Sequence, residues 1–166
     1  MQVLSETEVA ALLDRLVAAE LTGRRGLGAW QALLRAHATL MRRLETDLEK
    51  ETGLALADFD VLAQLANAGG SLRMTELAAL ALISRSGMTR RVARLVEEGL
   101  VGRAGAGVDA RGVVVTLTEA GIARLVETVP VHLSGISKLF VEQLDDQELA
   151  DLETALTKVT PDCTFG

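Results

Sequence analysis

The stretch that decides the fold runs from Ile83 to Gly121 and reads ISRSGMTRRVARLVEEGLVGRAGAGVDARGVVVTLTEAG. Met88, Val92, Leu95 and Val96 recur at helical spacing and form one buried side. Arg90 then lies almost opposite, flanked by Ser86, Ala93 and Arg94, with Thr89 and Arg91 at the margins. Ser84-Arg85-Ser86 is a polar break suited to capping that helix, and Gly99 stands where a helix is stopped. Leu100 to Arg103 and the β-branched run Val113 to Leu117 read as two strands, which makes the glycine-rich segment between them a hairpin. A helix with arginines outward, followed by a thin hairpin carrying Asp109 and Arg111 near its tip, suits duplex DNA. The helix matches the width of the major groove, and an Arg on a narrow loop matches the minor groove.

An Arg-bearing amphipathic helix taken alone is more often a solvated surface, so its neighbours matter. Upstream, Thr75 is placed to cap a short helix through Leu82 with Glu76 in its first turn, and Ser71-Leu72-Arg73 is a candidate short strand. Short helix, polar turn, second helix is helix-turn-helix spacing. Before it, a helix from about Ala57 to Ala68 carries Phe59, Val61, Leu62 and Leu65 on its apolar side. A longer helix starts near Leu27 or Ala29, bears the stripe Trp30, Leu33, Leu34, His37, Leu40, Met41, Leu44 and Leu48, and stops at Gly53. The first helix opens on the capping-box pair Ser5 and Glu8, repeats Val9, Leu12, Leu13, Leu16 and Val17, and ends at Thr22-Gly23. Downstream, Thr118 caps a long helix through Leu139 and Phe140, which Pro130 should kink without ending. Asp145 with Glu148 caps a last helix bearing Leu149, Leu152, Leu156 and Val159.

Composition narrows the functional classes. Hydrophobic residues make up 49% of the 166, but aromatics only 2%, with three Phe, one Trp and no Tyr. Such an aliphatic chain favours helix-on-helix packing and lacks the stacking platforms of a single-strand nucleic-acid binder. The net charge of −6 counts against a nucleic-acid partner until its distribution is read. Leu72 to Gly112 holds seven arginines against four acids, a local +3, while the remainder carries −9. A basic segment in an acidic body is an electrostatic footprint for a polyanion. The single cysteine, Cys163, allows no internal disulfide. The opening MQVLSETEVA lacks a basic region followed by an apolar core, so no signal peptide is expected, and the aliphatic run Leu77 to Ile83 is too short to span a bilayer. A cytoplasmic location is expected.

Other motifs weaken on inspection. GAGVDA at Gly105 to Ala110 fits a dinucleotide-binding pattern, but that pattern needs a helix immediately after it, and a strand follows here. Asp109 and Arg111, two apart on a hairpin tip, can pair, although a surface pair is worth little by itself. His37 and His132 lack the further ligands a metal would require. No Ser/His/Asp set, phosphate loop or paired-carboxylate cleft emerges, so neither an enzyme nor a cofactor is expected.

From about Trp30 to Val159 the chain resembles the MarR family of transcriptional regulators, winged helix-turn-helix dimers. The resemblance is carried by LRMTELAALALISRSGMTRRVARLVEEGLVGR at Leu72 to Arg103 and by the wing pattern D-A-R-G-VVVTLTEAG at Asp109 to Gly121. It implies a mainly α fold with a small β-hairpin wing and with N- and C-terminal dimerisation helices. Residues 1–53 and 119–160 would supply those helices, 54–118 the DNA-binding lobe, and 161–166 a tail. It further implies that the helix at Ser86 to Glu98 enters the major groove, while Arg111 reaches the minor groove, oriented by Asp109. The DNA-contacting set would be Ser84, Arg85, Ser86, Thr89, Arg90, Arg91, Arg94, Asp109 and Arg111. Ala110 stands where many members carry a second basic residue, so wing contacts to phosphate should be fewer and the salt dependence shallower. The helix at Ser5 to Leu21 lengthens the usual N-terminus and reads as an extra dimer helix.

Members of the family often bind small aromatic acids between the dimer helices and the DNA-reading lobe, which makes Trp30, His37 and Met41 candidate effector contacts. A histidine in an apolar stripe is more often a satisfied core or interface residue, and two copies of His37 could instead meet as a pH-sensitive pivot. Peroxide-sensing relatives carry a cysteine near the N-terminal dimer helix, unlike Cys163, so redox sensing is not expected. The expected function is a homodimeric, sequence-specific DNA-binding regulator, a repressor released by an aromatic or phenolic ligand, with no membrane partner. The alternatives are a ligand-independent or activating regulator of the same fold, and a winged-helix protein-interaction module without DNA binding.

Overall fold

Capping side chains begin several helices of the computed structural model, among them those opened by Ser5, Ser84, Thr118 and Asp145; it describes residues 5–21, 25–81, 84–104 and 112–160. Ser5 Oγ accepts from Glu8 N and the Glu8 carboxylate accepts from Ser5 N at 2.9 Å, opening α1 (Glu6–Glu20). α2 (Leu27–Thr52) and α3 (Leu56–Asn67) follow, then β1 (Ser71–Arg73), α4 (Met74–Leu80) and α5 (Arg85–Glu97). β2 (Val101–Ala104) and β3 (Val114–Leu117) lead into α6 (Glu119–Leu139), which continues through Pro130. A single 3₁₀ turn at Val141–Gln143 precedes α7 (Asp146–Thr157), where Asp145 and Glu148 form the expected capping box.

Two compact units divide within α2, residues 1–42 and 43–166. In the first, the apolar stripes of α1 and α2 lie open, with Leu16 at 53% and Trp30 at 56% exposure. The second has an aliphatic core in which Val61, Leu62, Leu65, Leu77, Met88, Val92, Leu95 and Val115 are fully buried. These residues come from α3, α4, α5 and β3, so the basic helix α5 is anchored by its apolar side as its spacing requires. Val96 departs from that pattern. The helical repeat places it on the buried side, but it is 38% exposed, because it sits at the edge of the stripe defined by Met88, Val92 and Leu95.

The sheet is three-stranded and antiparallel in the order β1-β3-β2. β3 is therefore central, with Val101 opposite Leu117 and Ala104 opposite Val114 on one side and Ser71 opposite Thr116 on the other. The start of α4 corrects one sequence expectation. Its N-cap is Arg73 rather than Thr75, since the chain leaves β1 at Arg73 in extended geometry and the Glu76 carboxylate accepts from Arg73 N at 3.0 Å. Among the described residues no helix is long and apolar enough to cross a membrane.

Candidate nucleic-acid interface

α5 is the second helix of the helix-turn-helix. Ser84 Oγ accepts from Gly87 N at 3.2 Å, and the Ser84 and Ser86 hydroxyls lie 3.3 Å apart. Thr89 Oγ1 donates to the Arg85 carbonyl at 2.9 Å, which commits its proton to the helix and leaves its lone pairs outward. Arg85, Ser86, Thr89 and Arg90 are all exposed. Among the described residues neither Arg85 nor Arg90 has an ion-pair partner. Beside this face lies a concavity of ≈ 270 Å³ lined by Gly87, Arg90, Arg91 and Arg94. Small side chains and unpaired guanidinium groups on one helix face can meet base edges and phosphates at close range.

Arg91 and Arg94 are differently employed. Asp58, in the first turn of α3, is only 3% exposed, and each of its carboxylate oxygens takes one guanidinium. Arg91 Nη1 reaches Asp58 Oδ1 at 2.7 Å, and Arg94 Nη2 donates to Asp58 Oδ2. Arg94 also lies 3.8 Å from Glu98, one turn on. Two of the four arginines of α5 therefore bind the protein itself. Periodicity does not reveal this, because it treats Asp58 as a polar interruption of the α3 stripe. Its usable signal is position: Asp58 lies three and four residues before Val61 and Leu62, on the buried side.

The root of the wing is built around Thr118. Its hydroxyl lies 2.8 Å from the Gly99 carbonyl and 2.9 Å from that of Leu100, and it accepts from Gly121 N at 3.0 Å. One side chain thus joins the stop of α5, the start of β2 and the first turn of α6. Asp109 and Arg111, expected on the hairpin, lie outside the described residues, as does Cys163. Trp30, His37 and Met41 lie on α2 in the N-terminal unit, the first two exposed and Met41 half-buried.

The histidine that packs inside the second unit is His132 of α6, whose ring centroid lies 4.6 Å from that of Phe59. Its Nδ1 is buried and has no hydrogen-bond partner among the described residues. Burial holds the imidazole below its ordinary pKa, opposed by attraction to Asp60. Burial also raises Asp60, opposed by His132 and Arg91. For His132 the unfolded chain takes up the proton first, so stability should fall as pH drops through the ordinary histidine value of about 6.5. The raised Asp60 acts in the opposite sense and at lower pH, where the folded state protonates first. A His132→Phe variant should accordingly lose less thermal stability than the wild type between about pH 7 and pH 5. Equal loss in melting curves of the two proteins would assign the acid sensitivity elsewhere.

With this geometry in place, comparisons with known proteins agree on one class. Residues 52–112 match the model of the MarR family. AbsC, a MarR family transcriptional regulator from Streptomyces coelicolor, is 25% identical with a TM-score of 0.73, covering 98% of this chain and 97% of that one. Sco3205, a MarR family transcriptional regulator from the same organism in complex with DNA, is 29% identical with a TM-score of 0.73, covering 82% and 89%. A mutant MarR from E. coli complexed with operator DNA is 26% identical with a TM-score of 0.70, covering 87% and 97%. No curated protein sequence matches the chain.

Proposed function

We propose that this chain, which belongs to the MarR family of winged helix-turn-helix transcriptional regulators, acts as a homodimeric, sequence-specific repressor on double-stranded DNA. The observation that carries the reading is the outward face of α5, where Arg85, Ser86, Thr89 and Arg90 are exposed on the second helix of the motif. The two similar proteins solved on DNA support the same use of the fold. Residues 54–118 would form the DNA lobe, with 1–53 and 119–160 supplying the dimer helices and 161–166 a tail. The open apolar side chains Leu13, Leu16, Trp30 and Leu34 favour a partner of the same kind, since a soluble monomer rarely leaves such a surface to water. A two-fold dimer would then read two half-sites on a pseudo-palindrome, spaced by about one helical turn.

Release by a small aromatic or phenolic acid belongs to the same proposal, with Trp30, His37 and Met41 as its contacts. Such a ligand weakens DNA binding only by the difference in its affinity for the two states of the dimer. The rival reading, a protein-interaction module, is favoured by the net charge of −6 and by the pairing of Arg91 and Arg94 with Asp58.

Gel retardation with DNA from upstream of the gene, at low and moderate salt, decides between them. The wild type should retard this DNA in preference to competitor, and Arg111→Ala should weaken retardation by about tenfold or more through loss of the minor-groove contact. A wild type that binds no tighter than Arg111→Ala removes the DNA reading. Aromatic acids added to the same lanes test the effector.

A further inference from the structure

We infer that Asp58 is a positioning residue that withholds Arg91 and Arg94 from the DNA backbone, confining the reading face of α5 to Arg85, Ser86, Thr89 and Arg90. The inference rests on the DNA-binding reading and concerns which arginines take part in it. Arg94 lies only about 40° around the helix from Arg90, so helical geometry alone would aim it at the same ligand. The structure turns it back. A carboxylate at 3% exposure must be paired, and here each oxygen is satisfied by a separate guanidinium one helical turn from the other. Arg91 is committed further, because its Nε is buried and its charge also acts on Asp60.

Two consequences follow for recognition. α5 is clamped to α3 by charge at its solvent edge as well as by Met88, Val92 and Leu95 within, which fixes the angle at which Arg90 is presented. Two cations that could grip any phosphate are also held on one carboxylate that cancels one of their two charges, which lowers sequence-independent affinity and leaves a larger share of binding to base contacts. Asp58 therefore favours discrimination over raw affinity.

The test measures the slope of log Kd against log salt for Asp58→Asn, on the upstream DNA and on unrelated DNA. Glu153→Gln, an exposed change of the same charge on α7, is the control. Asp58→Asn should bind unrelated DNA more tightly than the control does. Its slope should be steeper by about 0.9 for each arginine that gains a phosphate, and the ratio of specific to unrelated binding should fall. Asp58→Glu, which keeps the carboxylate, should remain near the wild-type slope. A slope for Asp58→Asn equal to that of the control, whatever its melting temperature, overturns the inference.

If Asp58→Asn does not fold, Arg91→Gln and Arg94→Gln serve in its place. Both should leave the wild-type slope unaltered, whereas a slope shallower by about 0.9 in either marks a phosphate ligand and overturns the inference. Failure of the DNA reading has a separate signature, a wild type that retards no DNA. In that event elution from immobilised heparin decides for Asp58. Asp58→Asn must elute at higher salt than Glu153→Gln for the inference to stand, and equal elution overturns it.

Discussion

Arg90→Ala should weaken binding to the cognate site by about 1–3 kcal/mol per half-site, or about 2–6 kcal/mol for a dimer that uses both, with little change in melting temperature. The size of the effect follows from what surrounds the side chain. Arg90 is exposed, has no ion-pair partner among the described residues, and borders the concavity beside Gly87. Among the described residues none pairs with its charge, so truncation removes a ligand contact and little else. Arg91→Ala and Arg94→Ala should behave differently, losing thermal stability because one oxygen of the buried Asp58 carboxylate is left unpaired, with little change in DNA binding while the variant stays folded. Fluorescence anisotropy with the upstream DNA and a scrambled duplex, beside a thermal melt, separates these cases. A loss for Arg90→Ala below twofold, or one equal on both duplexes, would remove Arg90 from base recognition.

Gly121→Ala should be strongly destabilising although Ala is the better helix former. A Cβ at Gly121 would overlap the carbonyl oxygen of Leu100 and come within 2.8 Å of Leu117 Cδ1. That carbonyl cannot move aside, since it accepts from both Thr118 N, at 3.2 Å, and the Thr118 hydroxyl, at 2.9 Å. The gain in helix propensity is about 1 kcal/mol, against an overpacking cost of about 3 kcal/mol or more where the opposing atom is fixed backbone. The net loss of about 2 kcal/mol or more corresponds to a melting temperature lower by roughly 5–10 °C. Because Leu100 and Thr118 also set the root of the wing, DNA binding should weaken even at temperatures where the variant stays folded. Differential scanning calorimetry reads the first effect directly, and a variant that melts with the wild type would show that the α6 entry can shift to make room.

Much of this architecture was legible before any coordinates. The starts of α1 and α7 follow from Ser5 with Glu8 and from Asp145 with Glu148, because capping is a contact between residues three apart. The start of α6 at Thr118 follows likewise, and the buried side of α5 follows from the 3.6-residue repeat of Met88, Val92 and Leu95. Thr75 failed as a cap for a non-local reason: pairing of Arg73 with Val114 ends β1 at that residue, so the helix starts two residues earlier than propensity suggests.

The same distinction divides the DNA face. Local chemistry determined that α5 is basic outside and apolar inside, whereas the need for glycine at 121 comes from the non-local approach of the Leu100 carbonyl. Only the tertiary structure decided which arginines are free to act. Asp58 lies 33 residues before Arg91 and 36 before Arg94. No periodicity relates positions so far apart. They meet because α3 and α5 bury their apolar sides in one core, which brings a buried carboxylate to the edge of α5 where Arg91 and Arg94 satisfy it.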